Sequence, residues 1–94
     1  MSSVESYLVK LKIAYEKIRE DFNNQKEDLF LLKSYAQDLL NSVYDLKSDE
    51  DLSKYSRQKL LKLTVNLNNL INSIEHEIGI QQKEEHFNLK HTEF

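Results

Sequence analysis

The sequence predicts an all-α domain, either an antiparallel three-helix bundle or, as the alternative, a helical hairpin with one long coiled-coil helix that would be oligomeric. Three observations carry this reading. Proline is absent and Gly79 is the only glycine, so strands joined by tight turns have no turn chemistry and the first half of the chain holds no strong helix breaker. A ladder at unbroken 4-3-4-3 spacing runs through Val4, Leu8, Leu11, Tyr15, Ile18, Phe22, Gln25, Leu29, Leu32, Ala36, Leu39, Val43 and Leu46. Every member except Gln25 is apolar, which places one stripe along one side of a helix and requires another helix to cover it. The polar stretch from Lys47 to Asp51 then interrupts the ladder as a loop.

The elements follow in order. Ser2 or Ser3 can cap a first helix over about residues 4–22. Asn23, Asn24 and Gln25 are the one place where the ladder turns polar, and Asn24 followed by Glu27 suits a new helix start, giving a second helix over about 26–46. Were the turn absent, one helix from Val4 to Leu46 would measure about 65 Å and overhang its partner, which would demand an oligomer. Asparagine costs a helix only about 0.7 kcal/mol relative to alanine, so it does not force a break. The apolar face is wider than a two-stranded seam needs, however. Val9, Ile13, Phe30, Leu31, Leu40 and Tyr44 all lie off the ladder, and extra faces imply extra neighbours. That surplus favours the bundle.

Ser48 with Asp51 resembles a capping box for a third helix over about 52–78. Its apolar positions are Leu60, Leu63, Leu67, Leu70, Ile74 and Ile78, widened by Leu61, Val65 and Ile71. Gly79 suits the residue just past the helix end. Residues 1–79 therefore form the bundle domain, and 80–94 read as a polar, frayed or partly helical tail.

Composition bounds the function. Ninety-four residues make one domain, small enough that a partner's surface adds usefully to stability. Charged residues make up 31% with a net charge of −3, both signs interspersed, so no basic arm exists and nucleic acid is not an indicated partner. Lys54, Arg57, Lys59 and Lys62 form a local basic cluster near a helix start, for which neighbouring Asp49, Glu50 and Asp51 are the simplest counter-charges. No cysteine means no disulfides or thiolate metal sites, and neither a leader nor a membrane-length apolar run is present, so the expected location is cytoplasmic, with no membrane partner.

The sequence carries no recognisable catalytic or ligand-binding chemistry. His76, His86 and His91 lack the three- or four-residue spacing that aligns ligands on a helical face, so no metal site is expected. No activated nucleophile, phosphate-cradling glycine loop or opposed carboxylate pair is recognisable, so neither catalysis nor a cofactor is expected. What remains is helix-on-helix recognition. The expected function is a non-catalytic protein–protein interaction module, a small helical subunit or adaptor, with homo-oligomerisation as one form of it. A stand-alone helical inhibitor or immunity-type protein is the alternative. Phe30, Leu31 and Tyr44 are the apolar candidates for partner binding. Lys26 and Lys33 are the charged ones: in a straight parallel dimer they would face Asp21 and Asp28 across the seam.

Overall fold

Two helices and a turn take the place of one long helix. The computed structural model describes residues 3–92, with side-chain environments for 4–83, and its elements are α1 (Ser3–Asn23), α2 (Leu29–Lys47) and α3 (Lys54–Thr92). Short connections over 24–28 and 48–53 force each helix to run antiparallel to the one before it, so α1 and α3 run parallel. The expected antiparallel three-helix bundle is the fold; the long-helix hairpin does not form.

The break at Gln25 has a specific backbone cause. Gln25 has φ of 54°, the left-handed conformation. Its N–H donates to the Phe22 carbonyl at 3.3 Å, and the Lys26 N–H reaches back to the Asp21 carbonyl at 3.1 Å. This paired closure satisfies the last carbonyls of a helix, and its left-handed residue is most often glycine. Here glutamine takes the position, which explains why the ladder turns polar at that point. The second helix starts at Leu29 rather than near 26, and its cap is Asp28 rather than Asn24. Asp28 Oδ1 accepts from the Phe30 N–H at 2.7 Å, while the Asp28 carbonyl accepts from the Leu32 N–H at 2.9 Å.

The α2–α3 loop also departs from expectation. Ser48 belongs to the end of α2, its hydroxyl donating to the Asp45 carbonyl at 2.6 Å, so Ser48 and Asp51 do not make a capping box. Asp49 Oδ1 accepts from the Asp51 N–H at 2.9 Å and bends the loop. Ser53 caps α3: its hydroxyl oxygen accepts from the Ser56 N–H at 3.1 Å, and its carbonyl accepts from the Arg57 N–H at 3.0 Å. Arg57 then holds the loop from within the helix, donating to the carbonyls of Leu52 at 3.3 Å, Glu50 at 3.2 Å and Asp49 at 3.4 Å.

All twelve apolar ladder residues enter the core or pack against it, Leu32, Ala36 and Val43 almost completely buried. From α3, Leu60, Leu63, Leu67, Leu70, Ile71, Ile74 and Ile78 close the core, and Leu52 plugs it from the loop. Leu61 and Val65 do not join them. Thr64 is buried in their stead, its hydroxyl donating to the Leu60 carbonyl at 2.8 Å, and among the described residues no buried side-chain polar atom lacks a partner.

Nor does α3 end at Gly79; it continues to Thr92. A left-handed glycine is what would have ended it, and no glycine in the chain has positive φ. Helical glycine costs only about 1 kcal/mol relative to alanine, too little to stop a helix flanked by good helix formers. Residues 80–92, expected as a frayed or partly helical tail, have helical backbone continuous with α3, whereas the side chains of His86, Phe87, Leu89 and His91, and all of Phe94, lie outside the described residues. Most of the molecule's long extent of 64 Å comes from α3, about 58 Å long, since α1 and α2 are each about 30 Å.

Candidate interaction surface

With the core assigned, the apolar residues that remain outside can be placed. Phe30 is 60% exposed, Leu31 39% and Tyr44 46%, but they do not gather into one patch. Phe30 and Tyr44 lie on the same helix about 21 Å apart along its axis, and Leu31 points about 100° away from Phe30. Phe30 instead joins Phe22 and Leu29 around a hollow at the α1–α2 turn whose other walls include Glu27, Asp28 and Glu77. Tyr44 carries the Lys47 ammonium 5.6 Å from its ring centre.

The charged candidates also separate. Lys33 Nζ lies 3.4 Å from Glu75 Oε1, tying α2 to α3 inside the bundle. Lys26 is exposed in the α1–α2 turn. Asp21, which a straight helix would have offered to Lys26 of another copy, takes Lys17 of its own helix at 3.1 Å. The hydrogen bond from Lys17, and then the charge of Asp21, hold the Lys17 pKa above its ordinary value. Because the chain reverses between Asp21 and Asp28, the edge of alternating charge that a parallel dimer would use is not continuous.

Two aliphatic pairs stand out on faces the core does not use: Val9 with Ile13, at 56% and 59% exposed, and Leu61 with Val65, at 56% and 50%. Each pair is separated by four residues, so its members are neighbours on the helix surface. Val9 borders a groove of about 560 Å³ between the parallel helices α1 and α3. Buried Leu8 and Leu63 and half-buried Tyr15 reach its floor; Lys12 and Arg19 stand on the α1 side, Lys59 and Lys62 on the α3 side, with Glu5, Glu16, Tyr55 and Asn66 completing the lining. The Lys59 ammonium sits 4.8 Å from the ring centre of Tyr55. The basic cluster of α3 is thereby divided. Arg57 is used by the loop, bound to carbonyls rather than to the neighbouring carboxylates, while Lys59 and Lys62 turn to the groove.

The groove is the feature that sequence reasoning missed. Lys12 and Arg19 are visible as bases beside the ladder, and Lys59 and Lys62 as a cluster, but nothing local indicates that the two sets flank one cleft. Among the described residues no three histidine, cysteine or carboxylate side chains converge as a metal site would require, and no helix is long and apolar enough to cross a membrane. The fold and surface define a three-helix bundle with unpartnered aliphatic faces. No protein-family model, no curated protein and no solved structure matches the chain.

Proposed function

We propose that this protein is a non-catalytic interaction module, a small helical subunit or adaptor whose exposed apolar helix faces dock on partner helices. The observation that carries this reading is the pair of aliphatic couples, Val9–Ile13 and Leu61–Val65, left at least half exposed although the core beside them is complete. Fully burying an exposed side chain of this kind contributes about 1.5–3 kcal/mol, so covering the half that remains exposed contributes about 1 kcal/mol apiece, against about 0.2–1 kcal/mol for an exposed ion pair. Together the four contribute more than any single surface ion pair as a driving force. The bundle satisfies its own core, so the docking faces are free to serve assembly without being needed for folding.

Photo-crosslinking side chains at Ile13 and Val65, compared with the exposed polar position Asp38 on α2, test this reading in cells that express the protein. Discrete adducts from Ile13 or Val65 and none from Asp38 are the expected result. Absence of adducts from both apolar positions, together with a monomeric mass at high concentration, would overturn it.

A further inference from the structure

The geometry points to a specific occupant for the α1–α3 groove: an acidic amphipathic helix from a different protein, lying between the two parallel helices as the fourth member of a bundle. This rests on the interaction-module reading and names its partner's chemistry. Two parallel helices with an apolar floor between them offer the ridges and groove into which a further helix packs. The floor of Leu8, Tyr15 and Leu63 asks for a leucine-like side chain every three or four residues. Both walls are basic, Lys12 and Arg19 on one and Lys59 and Lys62 on the other, so the occupant needs carboxylates on both flanks of its apolar stripe. Glu5 and Glu16 also line the groove, leaving it two positive charges in excess on a chain whose net charge is −3. The ion pairs seen among the described residues are Lys17–Asp21 and Lys33–Glu75, and none of the four bases belongs to either. An occupant antiparallel to α1 and α3 also sets its helix dipole against both of theirs.

Two other occupants fit less well. A second copy of this chain would bring Val9–Ile13, with Lys10 and Lys12 beside it, or Leu61–Val65, with Lys62 beside it, against basic walls. A nucleic acid would find four cations and no wider basic field, and its phosphate backbone has no use for an aliphatic floor.

From Glu5 to Arg19 the groove runs about 21 Å, so a helix of about 15 residues spans it. The test uses fluorescence anisotropy with synthetic peptides of that length, leucines at every third or fourth position, flanked on both sides by glutamate in one peptide and by lysine in the other. A labelled single-stranded oligonucleotide is the third probe. The glutamate peptide is expected to bind and to gain helicity, the lysine peptide to bind at least about tenfold more weakly. Lys12→Glu with Lys62→Glu should weaken the glutamate peptide by about tenfold. Lys26→Glu with Lys83→Glu, which removes the same charge elsewhere, should not, and both variants should melt as the parent does. Equal binding of both peptides, binding of neither, binding of the oligonucleotide instead, or a self-associated mass abolished by the groove variant would each overturn the assignment. Adducts from Val65 that persist in those cases would leave the broader interaction-module reading standing.

Discussion

The α2–α3 seam and the α1–α3 seam are built from the same leucine-rich periodicity, yet one is closed and the other is an open groove. Along the closed seam the helices run antiparallel, so their dipoles oppose, and the flanking charges are of opposite sign, Lys33 meeting Glu75 at 3.4 Å. Along the open seam the helices run parallel, and Lys12 and Arg19 look across at Lys59 and Lys62. Each such effect is worth only a fraction of a kcal/mol to about 1 kcal/mol, far below the burial of a single leucine. Apolar burial therefore decides that three helices pack together, and the weaker terms decide which pair of neighbours stays apart. A small preference is enough to leave a cleft.

The sharpest way to break this contrast is to truncate one leucine of the closed core and one at the floor of the groove. Leu67, with no exposed surface, should cost about 4 kcal/mol on replacement by alanine, while Leu8, at the groove floor, should cost about 2 kcal/mol, because solvent can enter the space it leaves. Urea denaturation reads both values; equal costs would mean the α1–α3 seam is as closed as the other. Next in size is the loop that sets the direction of α3. Arg57→Ala removes three hydrogen bonds to loop carbonyls and should lower stability by about 1–2 kcal/mol, and Ser53→Ala by about 1 kcal/mol through loss of the cap.

Two substitutions should stabilise. Gly79→Ala has no heavy atom within 4 Å of the added carbon and should raise stability by about 0.5–1 kcal/mol, and Gln25→Gly should gain about 0.5 kcal/mol by relieving the left-handed backbone. A lower melting temperature for either variant would contradict the backbone account. The smallest effect belongs to the closed seam's ion pair. A double-mutant cycle on Lys33 and Glu75, both partly exposed, should give a coupling of about 0.5 kcal/mol that fades in high salt.

Much of the fold was legible in advance because burial obeys helical periodicity. The ladder from Val4 to Leu46 names every α1 and α2 residue that builds the core save Ala14 and Leu40, which pack at its margin, and the six principal positions of α3 are all buried. Boundaries were less legible. Ser48, Asn24 and Gly79 all match cap or stop preferences, but Ser53 and Asp28 hold the helix starts, and competition among nearby serines, asparagines and aspartates is settled by loop geometry that no local pattern encodes. Gln25 was visible as an anomaly, though its role as the left-handed residue was obscured because glycine is the usual occupant.

The surface was read only residue by residue. Of the off-ladder residues expected to need extra neighbours, Leu40 packs against the core while Val9, Ile13, Phe30, Leu31 and Tyr44 stay exposed; that Phe30, Leu31 and Tyr44 diverge follows from the 100° step between successive residues. The groove joins residues some fifty positions apart, and only the number of chain reversals determines that their helices lie side by side.

The turn at Gln25 consumes one seven-residue step of the ladder, from Phe22 to Leu29, and so leaves the stripe in phase on both sides of it. Nothing in the folded molecule requires that phase. Once the chain has reversed, each helix is rotated to face the core by its own side chains, and a loop does not transmit rotation. Lengthening the segment 24–28 should therefore be tolerated, since doubling a flexible loop costs only about 0.6 kcal/mol. The seamless repeat that most resembles a coiled coil is thus the part of the pattern the fold could lose at least expense.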